Sequence, residues 1–294
     1  MICRHCSAEL KHIFIDLGSS PPSNSYVSKD ALEEVEKCYP LKVMVCNHCW
    51  LVQTEDFVKV DTMFASDYAY FSSYSTSWLD HAKNYVEKVS SKFYLNSNSM
   101  VVEIAANDGY LLQYIKDKNI PCYGIEPTHG TAQVAREKGI EIVEEFFGVD
   151  IASRLVKKGR QADLMIANNV LAHVPDINDF VKGFSILLKP NGIATFEFPH
   201  VLNLINKNQF DTIYHEHYSY LSFTAVCNIF EFNGLAVFDV EKIPTHGGSL
   251  RVYAQLTDFG SNKVNKNVLD LKEKEKRAGI NRINTYQGFQ KQAE

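Results

Sequence analysis

From Met100 onward, short apolar runs alternate with amphipathic segments, and this alternation sets the fold class of the chain. The strand-like runs are MVVEIAA, PCYGIEP, IEIVEEFF, ADLMIANNV and IATFEFP. Helix-like segments such as GYLLQYIKDKN, TAQVAREKG and PDINDFVKGFSILLKPNG lie between them. The pattern predicts a doubly wound α/β fold, with a mostly parallel sheet covered on both faces. Ligands of such sheets gather at the carboxyl ends of the strands.

Two CxxC knuckles near the N-terminus predict a metal site. Cys3-Arg-His-Cys6 and Cys46-Asn-His-Cys49 are separated by 39 residues. Four thiolates complete a tetrahedral site that suits Zn²⁺ and leave no position open for water, so the predicted zinc is structural. A redox dithiol and a set of unrelated cysteines are the alternative interpretations. The segment between the knuckles mixes Lys and Glu, which does not resemble the basic stripe of a nucleic-acid-binding ribbon.

Composition limits the partners. The 294 residues carry a net charge of −5, which gives no basic field to attract nucleic acid or anionic lipid. No apolar run reaches the roughly 18 residues needed to span a bilayer, and the first residues do not resemble a signal peptide. We therefore expect a cytoplasmic protein with no nucleic-acid or membrane partner. The sequence does not specify an oligomeric state.

The first strand ends in Glu103-Ile-Ala-Ala-Asn-Asp-Gly109, a tip suited to a small ligand. Ala105 and its small neighbour allow a ligand to approach the backbone, and Gly109 opens the next helix. The GxGxxG fingerprint of dinucleotide sites is missing, and Asp108 stands where a phosphate would be repelled. A cofactor with a cationic sulfonium and no phosphate fits this loop better.

The second strand ends in Glu126, which follows Glu103 by 23 residues. A carboxylate at this point can accept hydrogen bonds from both hydroxyls of a ribose. NAD and S-adenosylmethionine both carry such a ribose, so Glu126 alone does not choose between them. A solvated strand-end carboxylate is the simpler alternative.

EIAANDG, the acid in GIEP, the LLKPNG turn and a terminal hairpin of LAVFDVEKIP and GSLRVYAQL together resemble a class I S-adenosylmethionine-dependent methyltransferase. The resemblance covers about Tyr68 to Leu256. It implies a Rossmann-like sheet of seven strands and S-adenosylmethionine as cofactor. The residues that it assigns to the cofactor site are Glu103, Ala105, Asn107, Asp108, Gly109, Glu126, Asn168 and Asn169.

Four motifs in one order give a narrower match. The Cys₄ module, EIAANDG, FDTIYHEHYSY and HGGSLR resemble the sugar C-methyltransferases that act on nucleotide-linked keto-deoxysugars. Those proteins carry a second Rossmann-like domain, whereas this sequence stops at Glu294 after a charged, helix-like tail. We expect a zinc-binding module at residues 1–65, a methyltransferase core at 66–258 and a helical linker at 259–294, leading to a C-terminal domain missing from this chain.

The resemblance implies C-methylation at carbon 3 of a 4-keto sugar through an enolate. The segment Ile213-Tyr-His-Glu-His-Tyr-Ser-Tyr220 would carry it, with His217 as base, Glu216 as its orienter or an alternative base, and Tyr214 as donor to the sugar or enolate. In an extended strand Glu216 and His217 point to opposite faces, so a turn is expected if both meet the substrate. A polar edge strand is one alternative. A metal-binding His-x-His pair is another, but no third ligand of matching spacing is apparent and HExxH is absent.

Further candidates line the approach to this segment. Tyr70 is a candidate catalytic residue, while Tyr68, His200, His246 and Arg251 are candidates for binding the substrate. Packing between modules is an equally simple role for the two tyrosines, and a bulge for the glycines of HGGSLR. Two other functions stay open at this point: O-methylation of a sugar or another small hydroxyl compound, and a zinc-ribbon binding module that has lost activity.

Overall fold

The computed structural model describes residues 1–24, 26–55 and 70–294, and we number its elements along the chain. The strands are β1 His12–Ser20, β2 Tyr39–Val45, β3 Val52–Thr54, β4 Val101–Ile104, β5 Cys122–Ile125, β6 Ile142–Val143, β7 Ala162–Asn168, β8 Leu188–Pro199, β9 Ser219–Tyr220, β10 Leu235–Ile243 and β11 Ser249–Leu256. The helices are α1 Thr76–Lys92, α2 Leu112–Asp117, α3 His129–Glu137, α4 Val149–Lys157, α5 Ile177–Leu187, α6 Val201–Asn206, α7 Phe223–Phe232, α8 Lys266–Arg277, α9 Ile283–Gln287 and α10 Phe289–Ala293. Within these described ranges, no helix combines the length and apolar character needed to cross a membrane.

Seven strands form the main sheet, in the order β10-β11-β8-β7-β4-β5-β6. The five strands from β4 to β8 pair in parallel, and β10 and β11 close one edge as an antiparallel hairpin. Helices α1, α2 and α3 bury one face of the sheet, and helices α4, α5 and α7 bury the other. This arrangement confirms the doubly wound α/β fold and the terminal hairpin.

A second sheet belongs to the N-terminal module, in the order β1-β2-β3-β9. Its last strand, β9, consists of Ser219 and Tyr220 and is therefore distant in sequence from the other three strands. The residues just before β9 form a turn, in which the His217 amide donates to the Tyr214 carbonyl at 3.0 Å. The expected turn is therefore present at Tyr214–His217, and of this segment Ser219 and Tyr220 form an edge strand.

The C-terminal helices pack against the N-terminal module. The Phe14 ring of β1 stacks on Phe289 with centroids 4.5 Å apart, and Trp50 stacks on Tyr286. Ile280 is fully buried in the same apolar cluster. The tail is helical as expected from its sequence, and it joins the two sheets by folding back over β1.

Phe289→Ala tests this packing. Removing a stacked, buried ring leaves a cavity, so we expect the free energy of unfolding to fall by about 3 to 5 kcal/mol. Chemical denaturation monitored by circular dichroism measures the change. Phe259→Ala is the matched control, since that ring is 61% exposed. Equal stability of the two variants would contradict a structural role for the tail.

Candidate active site and zinc centre

The four predicted zinc ligands come together in the structure. The sulfur atoms of Cys3, Cys6, Cys46 and Cys49 all lie within 4.8 Å of one another. Cys3 and Cys49 are 3.5 Å apart, and Cys6 and Cys46 are 3.6 Å apart. Tetrahedral sulfurs about 2.3 Å from a zinc ion lie roughly 3.8 Å from each other, so this group fits Zn²⁺.

The backbone has the same conformation at the end of both CxxC knuckles. Ser7 and Trp50 each follow the second cysteine of a knuckle and adopt left-handed φ angles of 60° and 66°. The Arg4 side chain then docks the first knuckle onto the core by donating to the carbonyls of Pro175 and Thr54. None of the four cysteines lines the large cavity of the core, which agrees with a structural metal.

That cavity, of about 680 Å³, opens at the carboxyl ends of β4, β5, β7 and β8. It brings together most of the predicted site residues: Tyr70, Ala105, Asn107, Glu126, Asn168, Asn169, His200, Tyr214, Glu216, His217 and His246. Tyr68 lies outside the described residues. Glu103, Asp108, Gly109 and Arg251 are not among the described residues that line the cavity.

Glu126 forms the wall of the cavity at the tip of β5. Its carboxylate oxygens accept from the backbone amides of Asn107 and Thr128, both at 2.9 Å. Burial raises the pKa of Glu126, while these amide hydrogen bonds oppose the shift. Two N–H donors use only part of the acceptor capacity of a carboxylate, so Glu126 retains lone pairs for ribose hydroxyls.

Two further features of this end fit S-adenosylmethionine. Ala105 and Asn107 adopt φ angles of 57° and 48°, which turn the backbone sharply at the tip of β4. The buried Oδ1 of Asn169 has no hydrogen-bond partner among the described residues. Because a buried acceptor without a partner is costly, this atom is suited to a donor on a ligand, such as an ammonium group.

Three of the residues predicted to bind the cofactor do not line the cavity. Asp108 is buried against Ser73 and Lys138, so its charge is used within the protein. Gly109 has a φ of 74°, and a Cβ there would lie 2.5 Å from Ile140 Cδ1, so this glycine serves chain packing. Glu103 is buried within β4, and burial raises its pKa well above the ordinary range.

Arg251 is likewise committed inside the protein. Its guanidinium donates to Glu197 at 2.6 Å and lies 4.4 Å from the centre of the Tyr85 ring. His81 also contacts Glu197, at 2.9 Å. The expectation that Arg251 binds an anionic group of the substrate is therefore not supported by its placement. Glu197 is the one acid within the apolar run IATFEFP. An acid in such a run needs a buried partner, so this residue is the sequence feature that could have predicted the Glu197–Arg251 ion pair.

The Tyr214–His217 pair forms the opposite end of the cavity. The Tyr214 hydroxyl lies 2.8 Å from His217 Nε2, and His217 Nδ1 lies 3.0 Å from the Thr212 carbonyl. A carbonyl can only accept, so Nδ1 carries the proton and Nε2 accepts from the phenol. The imidazole is held in one tautomer, with its basic nitrogen facing Tyr214.

Burial keeps this pair neutral at physiological pH. It lowers the pKa of His217 well below its ordinary value, and the neighbouring His173 lowers it further. The two imidazoles meet edge to face with centroids 4.7 Å apart, and burial lowers the pKa of His173 to about 4. Burial also raises the pKa of Tyr214. His217 is consequently an unprotonated base and Tyr214 a protonated phenol.

Glu216 turns toward the N-terminal module. Its Oε1 accepts from Asn24 Nδ2 at 2.8 Å and from Ser23 Oγ at 3.1 Å. The Thr212 carbonyl, not Glu216, occupies the Nδ1 side of the base. Glu216 thus links the turn of Tyr214 and His217 to a loop of the zinc module that borders the cavity.

Sequence reasoning missed an aromatic wall. Trp78 stacks on His81 at 4.8 Å and on Tyr110 at 5.9 Å between ring centroids. The edge of His246 meets the same indole at 5.2 Å. Trp78 lies on helix α1, whose sequence carries no signal of a binding site. Only the folded structure shows that this residue lines the cavity.

Three family models match consecutive parts of the chain. Residues 3–64 match "Putative zinc binding domain", residues 78–240 match "Methyltransferase domain", and residues 244–294 match "C-methyltransferase C-terminal domain". The second match alone covers more than half of the chain. The order of the three agrees with the two sheets and the helical tail.

Individual proteins agree with these matches. The chain is 30% identical over 287 residues to the C-methyltransferase NovU of Streptomyces niveus, a match that covers 98% of this chain and 68% of that protein. It is 26% identical over 98 residues to the ubiquinone biosynthesis O-methyltransferase of Bordetella avium, covering 33% and 41% of the two chains. The crystal structure of the PH0226 protein from Pyrococcus horikoshii shares the fold, with a TM-score of 0.51 at 13% identity over 64% of this chain and 94% of that one.

Cys49→Ser tests the zinc centre. Losing one of four thiolates weakens the metal site, so we expect zinc content to fall from about one ion per chain toward zero and the melting temperature to fall with it. Elemental analysis and thermal denaturation measure the two effects. Cys227→Ser is the control, because Cys227 lies on α7 outside the cluster and should leave the zinc content unchanged. Full zinc content in the Cys49 variant would contradict the assignment.

Proposed function

Because the chain belongs to the C-methyltransferase family, we propose that its substrate is a nucleotide-linked 4-keto-deoxysugar, methylated at carbon 3. The family membership rests on the methyltransferase domain and on a relative that is 30% identical over 98% of the chain. Methyl transfer to a carbon next to a ketone needs a base that removes the C–H proton, and the ketone makes that proton acidic. The Tyr214–His217 pair is the observation that carries the proposal.

S-adenosylmethionine, when bound, supplies a methyl group on a cationic sulfur that a carbanion can attack. Glu126 would accept from its ribose hydroxyls, and the unpartnered Oδ1 of Asn169 would accept from its ammonium group. The tip of β4 at Ala105 lets the cofactor approach the backbone. Ala105 and Glu126 follow β4 and β5, and Asn169 follows β7, so all three lie at the carboxyl ends of parallel strands.

The proton is removed by Tyr214 and His217 acting together. The phenol oxygen of Tyr214 takes the proton from carbon 3 while the hydroxyl proton of Tyr214 passes to His217 Nε2. The electron pair of the broken C–H bond moves into the enolate, with negative charge on the oxygen at carbon 4. His217 ends as an imidazolium whose Nδ1–H remains on the Thr212 carbonyl. This assignment makes Tyr214 the group that faces carbon 3, whereas the sequence suggested His217.

The charge of the cavity supports one orientation of the proposed substrate. Its lining includes Glu126, Glu216 and further acids, and no lysine or arginine among the described residues. Such a lining suits a sugar and a cationic cofactor but repels phosphate. We therefore place the sugar ring inside the cavity and the nucleotide at its mouth.

Product analysis and variants of the pair test the proposal. We expect a new methyl group on carbon 3 by NMR of the product, and exchange of the C3 proton with deuterium from solvent. Tyr214→Phe and His217→Asn should lower kcat by roughly 10²- to 10⁴-fold, because each removes one step of the proton path. His129→Asn is the matched control on a surface histidine that is far more exposed than His217. A methyl group on oxygen, or variants within a few-fold of wild type, would refute the mechanism.

The pH profile tests the neutral base. A base must be unprotonated to act, so activity falls as pH drops through its pKa. Because the pKa of His217 is lowered, chiefly by burial, kcat/KM should stay level from pH 8 down through about 6.5 and decline only in more acidic buffer. Circular dichroism at each pH separates this decline from unfolding. An acidic limb centred at or above about 6.5 would contradict the assignment.

A further inference from the structure

A buried carboxylate from the C-terminal tail reaches the cavity wall. Glu275 on α8 is fully buried, and its Oε1 lies 2.6 Å from Nε2 of His200, a cavity-lining residue. The other contacts of Glu275 are also donors: the Phe223 amide at 2.7 Å, the Thr224 amide at 2.7 Å and the Thr224 hydroxyl at 2.6 Å. Burial would raise the pKa of Glu275, but His200 and the Thr224 and Phe223 donors together lower it, so the group stays ionised.

This contact fixes which nitrogen of His200 carries a proton. An ionised carboxylate only accepts, so Nε2 must donate to Glu275. In the neutral imidazole Nδ1 is then an acceptor. Within the described part of the chain, the side-chain hydrogen bond of His200 is made by Nε2 and not by Nδ1. His200, which lines the cavity, thus has one ring nitrogen that can accept a hydrogen bond from a ligand.

The position of His200 favours the substrate as its partner. Its amide donates to the Gly248 carbonyl at 3.2 Å, and it forms a bridge with Leu221 just after the catalytic turn. In the sheet, β8 is separated by β7 from β4, whose tip begins the cofactor end. His200 therefore lies at the end of the cavity that holds Tyr214.

We propose that Glu275 is a positioning residue, which holds His200 with Nδ1 ready to accept a hydrogen bond from a hydroxyl group of the sugar substrate. The inference rests on the proposed function and extends it, by giving the C-terminal helix α8 a direct part in recognising the sugar. Glu275 also accepts from two amides at the start of α7, a structural contribution that the experiment has to separate.

The tautomer of His200 is the first readout. Long-range ¹H–¹⁵N spectra of protein labelled at its ten histidines distinguish protonated from unprotonated ring nitrogens. His200→Asn identifies the signal by its loss. We expect wild-type His200 to be protonated at Nε2 and not at Nδ1, and Glu275→Gln to change this signal. A wild-type ring protonated at Nδ1 would overturn the proposal, and this result needs no activity assay.

Kinetics with the keto-sugar substrate give the second readout. His200→Asn and Glu275→Gln should each raise the KM for the sugar by on the order of tenfold and leave kcat within a few-fold, since a substrate hydrogen bond is lost. Combining the two substitutions should raise KM little further, because Glu275 acts through His200. The KM for S-adenosylmethionine should not change.

Ser222→Ala is the matched control for helix capping. Its buried Oγ accepts from the Ala225 amide at the start of the same helix and does not touch His200. This variant should lose stability, as Glu275→Gln does, but keep the His200 signal and the KM for the sugar. A similar rise in KM for both variants would reduce Glu275 to a structural residue. If no keto-sugar is methylated, the proposed function fails, while the tautomer result still decides the role of Glu275.

Discussion

The short pairing between β3 and β9 joins the zinc module to the candidate active site. Val52 pairs with Tyr220 and Gln53 with Ser219, directly after the turn that carries Tyr214 and His217. Thr54 extends the contact, since its amide donates to the Tyr218 carbonyl and its hydroxyl to the His217 carbonyl. The knuckle at Cys46 and Cys49 immediately precedes β3. The zinc site thus fixes β3, the strand that pairs with β9 directly after the turn of Tyr214 and His217.

Charged groups inside the core are concentrated around the end of β8. Glu197 is held by Arg251 and His81, and Glu275 by His200 and the start of α7. Buried carboxylates seldom add stability over apolar packing, because desolvation offsets the attraction to their partners. These two carboxylates orient their neighbours instead: Glu197 contacts His81, which stacks on Trp78, and Glu275 holds the imidazole of His200, which lines the cavity. The apolar core alone would leave these rings free to choose other orientations.

The sequence predicts the fold well because its signals are local. Alternating strands and helices, the CxxC spacing and the acid at the tip of β5 each depend on a few neighbouring residues. The site is predicted less completely because its contacts are distant in sequence. Asp108 stands next to a cavity-lining residue but turns to Ser73 and Lys138. Glu275 contacts His200, which precedes it by 75 residues, and no local sequence pattern predicts that contact.

The electrostatics of the cavity explain how His217, a weak base, could take part in the proposed proton transfer. Burial and His173 disfavour an isolated imidazolium at His217, so the Tyr214–His217 pair is uncharged before the substrate reacts. In the proposed proton transfer an enolate and an imidazolium form together, and opposite charges attract strongly where water is excluded. The penalty on the imidazolium is therefore smallest when the enolate is present. In this proposal proton removal is stabilised only with the substrate in place, and the enolate returns to the ketone by reprotonation unless a methyl group is positioned to receive its electron pair.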